Sequence, residues 1–289
     1  MAKSIMIQGT ASGVGKTILT MALCRIFKED GYRTAPFKSQ NMTSNTALIG
    51  SGEEIAVSQI LQAKASGIEP DVTMNPIILK PTPENRGTQL ILNGISRGTI
   101  DAYNITEIKQ SLKQEVIKAY ETLNSKYDVI VIEGAGSPVE LNLNKEDIVN
   151  MGVAKLANAP VVLVADIDRG GVFASLYGTI SLLGESERSH IKATIVNRFR
   201  GEASYFTDGV AILERITGVP VAGVVPYITF SLPDEDKLVE AGNVAEGSSQ
   251  EGAVYSPDGN YEEEFSFIAD HVRKSLDMDL IYKILQTGI

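Results

Sequence analysis

Short apolar runs alternate along the chain with amphipathic stretches of helical length. Ser4–Gln8 has the pattern of a buried strand, and Lys16–Glu29 has the pattern of the helix that follows it. The same continuous apolar pattern recurs in Asp128–Ile132, Pro160–Ala165, Ile191–Val196 and Val219–Val224. Continuous apolar strands separated by helices are typical of a parallel sheet covered on both faces. The pattern predicts an α/β fold with a doubly wound, mostly parallel sheet and helices on both faces.

Weaker patterns lie between these elements. Arg33–Lys38 predicts a second strand, and Pro76–Leu79 and Gln89–Leu92 predict two further extended segments. Glu54–Ala65 and Ile105–Leu123 carry apolar residues near helical spacing. This spacing predicts two more helices.

The chain changes character after residue 238. We expect residues 1–238 to form the α/β domain, and residues 239–262, which are acidic and rich in Gly and Ser, to form a linker. In residues 263–289 the apolar positions return at helical spacing, which predicts one C-terminal amphipathic helix that docks on its own domain or on a partner. These positions are Phe265, Ile268, Val272, Leu276, Leu280 and Ile284.

Composition narrows the class of protein. The net charge of −10 argues against a nucleic-acid partner, and a signal peptide or an apolar membrane-spanning run is not visible in the sequence, so a cytoplasmic protein with no membrane partner is expected. Cys24 is the one cysteine and lies among apolar residues of the first helix, which predicts a core position. His190 and His271 lie in polar stretches and are expected to be solvated, without a functional role.

Residues 9–17 read GTASGVGKT between the first strand and the first helix. In such a loop the backbone N–H groups cradle phosphates, a lysine reaches the β/γ oxygens and a hydroxyl ligates Mg²⁺. The motif predicts ATP and Mg²⁺ as cofactors, with Lys16 catalytic and Thr17 a metal ligand. The expected nucleotide-binding residues of the loop are Thr10, Ser12, Gly13, Val14, Gly15, Lys16 and Thr17.

The loop departs from the commonest spacing by one residue. Measured back from Gly15, the usual first glycine falls on Thr10, and Gly9 takes its place. The longer loop resembles that of dethiobiotin synthetase and its amide-forming relatives. Ala11 occupies the position where chromosome-partition ATPases carry an additional lysine, which argues against that class.

A carboxylate follows the clearest strand, as Glu133-Gly134-Ala135-Gly136. A carboxylate at the carboxyl end of a parallel strand is well placed to hold Mg²⁺ directly or through water. We therefore predict Glu133 as a metal ligand and catalytic residue. Gly134 and Gly136 are expected to let the substrate approach the backbone.

Polar residues after the second strand suggest an acceptor site. Lys38 can pair with a γ-phosphate or with a carboxylate acceptor and is predicted to be catalytic. Gln40, Asn41 and Asn45 suit a substrate that carries many carboxylates and amides.

Charged residues also follow two later strands. Asp166-Ile167-Asp168-Arg169-Gly170-Gly171 ends one strand, and Arg169 is expected to clamp a transferring phosphoryl group while Asp168 contacts substrate. Asn197 and Pro226, each at the end of a strand, are expected to hold the nucleotide base. Arg198 and Arg200 are expected to meet an anionic substrate.

Seven segments occur together in one order: GTASGVGKT, FKSQNM, EPDVTMNPIILKP, IEGAGSPVELNL, DIDRGGVFASLYGT, NRFRG and LPDED. This combination resembles the cobyric acid synthases over about residues 3–237. The resemblance implies ATP-dependent amidation of peripheral carboxylates of adenosylcobyrinic acid a,c-diamide, a corrinoid, through acyl phosphates. It implies a carbon–nitrogen ligase of cobalamin biosynthesis.

Glutamine normally supplies the ammonia in that family, through a C-terminal class I glutaminase domain of about 200 residues. Such a domain needs a nucleophilic cysteine, and Cys24 lies in the first helix, so we expect this chain to lack it. A separate glutaminase subunit or ammonia from solution would then be the nitrogen source. A dimer is compatible with the sequence, which leaves the oligomeric state open.

Three other hypotheses stay open at this point. The chain could be a partner-switching regulatory ATPase, against which Ala11 argues, or a ligase of the same fold acting on another carboxylic acid. It could also bind a corrinoid or a nucleotide without synthetic turnover.

Overall fold

The computed structural model describes residues 1–50, 52–82, 87–100, 102–141, 147–233 and 255–289. In chain order, the strands and helices of these residues are β1 (Lys3–Gly9), α1 (Lys16–Glu29), β2 (Thr34–Phe37), β3 (Gln40–Met42), β4 (Thr46–Leu48), β5 (Glu54–Ala56), α2 (Val57–Ala65), β6 (Ile77–Pro81), β7 (Thr88–Leu92), β8 (Ile95–Ile100), α3 (Ala102–Lys126), β9 (Val129–Glu133), α4 (Met151–Leu156), β10 (Val161–Asp166), α5 (Val172–Leu182), α6 (Glu185–Arg188), β11 (Ile191–Phe199), α7 (Thr207–Thr217), β12 (Val221–Pro226), α8 (Glu262–Ser275) and α9 (Met278–Thr287).

The central sheet has the order β12-β11-β10-β1-β9-β2, and its neighbouring strands all pair in parallel. The predicted doubly wound parallel fold is confirmed. The first strand, β1, lies in the middle, between β10 and β9, while the chain passes from β1 outward to β2 before it returns to β9. A site at the carboxyl end of β1 therefore lies where the strand order reverses, which is where open α/β sheets bind ligands.

Alternate residues of the strands face opposite sides of the sheet, as the period of two requires. Ile5 and Ile7 pack into a cluster with α1, α8 and α9, and Met6 packs into a second cluster with α3, α4 and α5. Both faces of the sheet are thus covered. This two-sided burial explains why these strands read as continuous apolar runs.

A second sheet lies beside the first, with the order β3-β6-β7-β8. The two extended segments expected near Pro76 and Gln89 belong to it, as β6 and the antiparallel β7. Asn93 and Gly94 connect β7 to β8 with φ of 50° and 76°, the left-handed values that a tight hairpin turn of this kind requires.

The helix predicted over Glu54–Ala65 was wrong in its first turn. Glu54–Ala56 forms β5, which pairs antiparallel with β4, and the helix α2 begins at Val57. Ile55 is fully buried in this short hairpin. Its β-branched side chain suits a strand, and the pairing with β4 overrides the helical spacing of the apolar residues.

The C-terminal segment forms two helices rather than the single one expected. Leu276 leaves the helical conformation and makes a bridge with Gly223 of β12, and the Asp277 carboxylate caps α9 by accepting from the Leu280 N–H at 3.0 Å. A Cβ on Gly223 would lie 2.2 Å from the Ser275 carbonyl oxygen, so this close approach needs glycine. Both helices dock on this chain's own domain.

The α8 helix packs along α1. Phe265, Ile268 and Val272 are each no more than 2% exposed. At its edge, the Arg25 guanidinium donates to Glu262 at 2.8 Å and to Ser266 at 3.0 Å. Most of the predicted linker, residues 239–254, lies outside the described residues, and the division into domains stays a prediction.

The one cysteine of the chain and its two histidines are all at least partly buried. Cys24 is buried, and burial raises the pKa of its thiol to about 12. His190 is 8% exposed, with its Nδ1 3.2 Å from the Ala159 carbonyl oxygen, so the expectation of a solvated side chain was wrong for it. His271 is also not fully solvated, because its Nε2 lies 3.0 Å from the Pro226 carbonyl oxygen.

None of the helices in the described ranges has the length and apolar character needed to cross a membrane.

Candidate active site

The glycine-rich loop connects the carboxyl end of β1 to the first turn of α1. Gly13 and Gly15 have φ of 70° and 97°, values that glycine adopts without a steric penalty. The Lys16 side chain is buried, and its Nζ donates to the carbonyl oxygens of Ala11 at 2.9 Å and Gly136 at 3.3 Å. Its ammonium group therefore lies between the loop after β1 and the loop after β9.

Asn197, at the end of β11, holds this loop from the other side. Its Nδ2 donates to the Val14 carbonyl oxygen at 2.8 Å. A Cβ on Gly15 would lie 2.2 Å from the same Nδ2. The sequence predicted Asn197 as a contact to the nucleotide base, and the structure shows that its amide nitrogen contacts the phosphate-binding loop itself.

Glu133 is the centre of a buried polar cluster at the end of β9. Its carboxylate is 1% exposed, and its Oε1 accepts from Thr17 Oγ1 at 2.8 Å and from Lys38 Nζ at 2.9 Å. Its Oε2 accepts from Gln62 Nε2 at 2.7 Å. β9 pairs in parallel with both β1 and β2. Glu133 lies opposite Ile7 of β1, and the residue before it, Ile132, lies opposite Phe37 of β2. Two predicted side chains, Thr17 and Lys38, thus meet at the carboxylate of a third, Glu133.

The positions of Thr17 and Glu133 fit a magnesium ion. Both offer oxygen atoms, which Mg²⁺ prefers, and the Thr17 Oγ1 and Glu133 Oε1 atoms lie 2.8 Å apart. Adjacent ligands of an octahedral Mg²⁺ with metal–oxygen distances of about 2.1 Å are separated by about 3.0 Å. The two oxygens could therefore take neighbouring coordination positions.

Asn150 shapes the loop that follows Glu133. Its Nδ2 donates to the carbonyl oxygens of Ala135 at 2.7 Å and Ser137 at 3.2 Å, and its Oδ1 accepts from the Ala135 N–H at 3.1 Å. A Cβ on Gly134 would lie 2.4 Å from this Oδ1. Gly134 thus makes room for Asn150, a residue that the sequence did not single out.

Asp166, at the end of β10, is a buried carboxylate that attracts two arginines. The Arg198 Nη1 lies 2.9 Å and the Arg169 Nε 3.7 Å from Asp166 Oδ2. Arg198 has a φ of 61°, in the left-handed region that costs a non-glycine residue about 1–3 kcal/mol. It lies within a register irregularity between β11 and β12, and such irregularities redirect side chains near functional sites. Arg169 is 74% exposed and remains accessible to an anionic ligand.

Asp168 and Arg200 form a second ion pair, at the carboxyl ends of β10 and β11. The Arg200 guanidinium donates to both carboxylate oxygens, at 2.5 and 3.0 Å, and lies 4.1 Å from the centre of the Tyr227 ring. The hydrogen bond from Arg200 lowers the pKa of the Asp168 carboxyl. These contacts link the loops after β10, β11 and β12.

A cleft of about 740 Å³ lies over these groups. The predicted site residues that line it are Ser12, Gly13, Gly15, Lys16, Thr17, Lys38, Asn41, Glu133, Gly136, Asp168, Arg169, Asn197, Arg198 and Pro226. The others that were predicted, Thr10, Val14, Gln40, Asn45, Gly134 and Arg200, are not among its lining residues. Val14 packs in the core, and the Thr10 N–H donates to the Val164 carbonyl oxygen at 2.9 Å.

Several lining or supporting residues were not anticipated. Gln59 and Gln62 of α2 are fully buried beneath the cleft, and their only sequence signal is an amide at two positions of an apolar helix face. Residues 227–233, which follow β12, line one wall, and Val272 of α8 lines the cleft as well. Val272 was predicted only as an apolar position of the C-terminal helix, and its place at the cleft depends on the docking of α8 against α1, which local spacing does not indicate.

Three features define a P-loop nucleotide-binding protein. They are a parallel sheet with a glycine-rich loop at its central strand, a buried lysine in that loop, and an adjacent threonine–carboxylate pair. Comparison with known families agrees. Residues 5–239 match the family described as "CobQ/CobB/MinD/ParA nucleotide binding domain", and the chain belongs to this family.

Several relatives by sequence are named cobyric acid synthase. The protein of that name from Lachnoclostridium phytofermentans is 54% identical over 244 residues, which are 83% of this chain and 47% of the relative. Those from Photorhabdus laumondii and Listeria monocytogenes are 53% and 49% identical, over 82% and 90% of this chain and 46% and 49% of theirs. This chain spans about half the length of the curated relatives it matches.

Among solved structures, the MinD cell division protein of Aquifex aeolicus aligns with a TM-score of 0.44 and 17% identity, over 78% of this chain and 82% of that chain.

Proposed function

We propose that this protein is a carbon–nitrogen ligase that uses Mg·ATP to amidate peripheral carboxylates of adenosylcobyrinic acid a,c-diamide, leading toward cobyric acid. One observation carries the proposal: Lys16, Thr17, Lys38 and Glu133 converge at one end of a cleft. The shared name of relatives about half identical to this chain supports the corrinoid as the acceptor.

Amidation of a carboxylate needs activation, since its carbonyl carbon is a poor electrophile and the hydroxide leaving group is poor. Transfer of the γ-phosphoryl group from ATP to a carboxylate oxygen gives an acyl phosphate and ADP. Attack of ammonia at the carbonyl carbon then forms the amide and releases phosphate. In this scheme the protein contributes mostly position and charge stabilisation, as is usual for phosphoryl transfer.

The residues divide between the two substrates. Lys16 and the loop N–H groups would bind the phosphates, and Thr17 and Glu133 would hold Mg²⁺, which neutralises charge on the phosphates. Lys38, in the loop after β2, also contacts Glu133. It would orient the carboxylate of the corrinoid or the phosphoryl group. Arg169, exposed at the mouth, would neutralise the transferring phosphoryl group.

The remaining predicted contacts fit the same division. Asn197 and Pro226 would border the nucleotide. The acceptor contacts would come from residues around the mouth and from the loops after the strands, namely Gln40, Asn41, Asn45, Gly134, Gly136, Asp168, Arg198 and Arg200. Ammonia from solution or from a separate glutaminase is the proposed source of nitrogen.

The test is incubation with ATP, Mg²⁺, ammonium chloride and the corrinoid diamide, followed by mass spectrometry of the corrinoid. We expect amidated products together with ADP, because ammonium supplies the nitrogen directly. Lys16→Ala should abolish the reaction, whereas Lys28→Ala, at the far end of the same helix, should retain it. Normal turnover by the Lys16 variant would refute the assigned role.

Other outcomes would favour the alternatives. ATP hydrolysis without corrinoid, together with nucleotide-dependent dimerisation, would indicate a partner-switching ATPase. Binding of the corrinoid without a change in its mass would indicate a binding protein.

A further inference from the structure

The α2 helix carries two glutamines into the interior beneath the cleft. Gln59 and Gln62 are both 0% exposed, on a helix whose neighbouring Ile60 and Ala63 belong to the hydrophobic core. Burying an amide is unfavourable unless its donors and acceptors are paired. Two such residues, three positions apart and therefore on the same side of the helix, need a physical explanation.

Gln62 contacts the metal-side carboxylate. Its Nε2 donates to Glu133 Oε2 at 2.7 Å and to the Thr17 carbonyl oxygen at 3.4 Å. The other carboxylate oxygen, Oε1, accepts from Thr17 Oγ1 and Lys38 Nζ. Thr17 and Lys38 thus donate to one oxygen of Glu133, and Gln62 donates to the other.

The orientation of the Gln62 amide is itself determined by its neighbours. A carboxylate only accepts, so Gln62 must present its NH₂ group to Glu133 and its carbonyl oxygen to Gln59. Gln59 Nε2 donates to Gln62 Oε1 at 3.1 Å. The Gln59 carbonyl oxygen in turn accepts from Asn41 Nδ2 at 3.1 Å and from Ser58 Oγ at 3.2 Å. In this series of hydrogen bonds, each donor group donates in the direction of Glu133. Asn41 and Ser58, at the opposite end of the series, line the cleft.

We propose that Gln62 is a positioning residue for the metal site, which holds Glu133 in the rotamer that presents Oε1 beside Thr17, and that Gln59 keeps the Gln62 amide in the required orientation. The inference rests on the proposed function only in taking Glu133 as the metal-side carboxylate. It requires no corrinoid, so loss of the amidation hypothesis would leave it testable.

The test compares the affinity of the whole chain for ADP with and without Mg²⁺ by isothermal titration calorimetry. In Gln62→Met, which keeps the length of the side chain and removes its polar atoms, we expect the gain in ADP affinity on adding Mg²⁺ to fall by about 10- to 100-fold. The affinity for ADP without Mg²⁺ should stay at the wild-type value, because the loop contacts to the phosphates are intact. A general structural defect would weaken both.

Two further variants make the outcome decisive. Gln110→Met makes the same substitution at an exposed position of α3 and should change neither affinity. Gln59→Met leaves the Gln62 donor in place and should give a smaller loss of the Mg²⁺-dependent gain than Gln62→Met. A wild-type gain in Gln62→Met, or an equal fall with and without Mg²⁺, would overturn the proposal. A larger loss in Gln59→Met than in Gln62→Met would overturn the assigned order.

Discussion

The buried ion pair between Lys38 and Glu133 gives a quantitative prediction of stability. Lys38 Nζ lies 2.9 Å from Glu133 Oε1, and the two side chains are 6% and 1% exposed. Lys38→Met keeps most of the aliphatic stem and removes the ammonium group. The remaining carboxylate would then be buried without this cation, although Thr17 and Gln62 would still donate hydrogen bonds to it.

The expected cost follows from this burial. Removing one partner of a buried ion pair destabilises a protein by about 3–5 kcal/mol, because an uncompensated charge stays in the interior. At the pair of Lys80 and Glu54 the side chains are 31% and 22% exposed, and solvent screens the charges. Lys80→Met is therefore a matched control, for which a loss of about 0–1 kcal/mol is expected.

The assay is urea unfolding at neutral pH, without nucleotide and with a chelator, followed by far-ultraviolet circular dichroism because the chain has no tryptophan. Lys38→Met should move the midpoint down by about 1 M or more. Adding Glu133→Gln should recover a large part of the loss, because the amide carries no charge and its carbonyl oxygen still accepts hydrogen bonds. If Lys38→Met costs no more than Lys80→Met, the ion pair does not form in solution.

Two further predictions concern ionisation. Because burial raises the pKa of the Cys24 thiol to about 12, the folded protein should resist iodoacetamide at about pH 8 and react after unfolding, as measured by mass spectrometry; modification of the native protein at the rate of a free cysteine would contradict the buried position. Hydrogen bonds from Arg33 lower the pKa of the Asp128 carboxyl from 3.8 to about 2, so the stabilisation is present above pH 3.8 and is lost as the pH falls toward 2. An NMR titration of Asp128 with a midpoint near 3.8 would show that the ion pair is absent.

The sequence predicted the sheet well because its strands are buried on both faces. The continuous apolar pattern predicts a central parallel sheet, and it recurs in the buried strands Val129–Glu133 and Val161–Asp166. The helix α1 has the predicted bounds of Lys16–Glu29. The elements that depend on contacts between distant segments were harder. Ile55 pairs in a hairpin rather than a helix, and Leu276 breaks the C-terminal helix because it bridges to Gly223.

The same distinction holds for the site. Lys16 and Thr17 belong to a local motif whose geometry follows from its glycines. Glu133 and Lys38 could be predicted because parallel strands end at one edge of the sheet. Gln62 could not, since its role depends on how α2 packs under that edge, and the sequence shows only an amide in an apolar helix. Gly134 was predicted as a site residue, but Asn150, for whose side chain it leaves room, lies 16 residues further along the chain.

The packing of α8 against α1 bears on the order of folding during synthesis. Arg25 and Glu262 are 237 residues apart in the chain, and closing so long a segment has a large entropic cost before any contact compensates it. The helix that follows the phosphate-binding loop leaves the ribosome before residues 262–275, so its apolar side facing Phe265 and Ile268 stays uncovered until those residues emerge. A nascent chain that has already exposed the whole glycine-rich loop thus still has an incomplete core behind it.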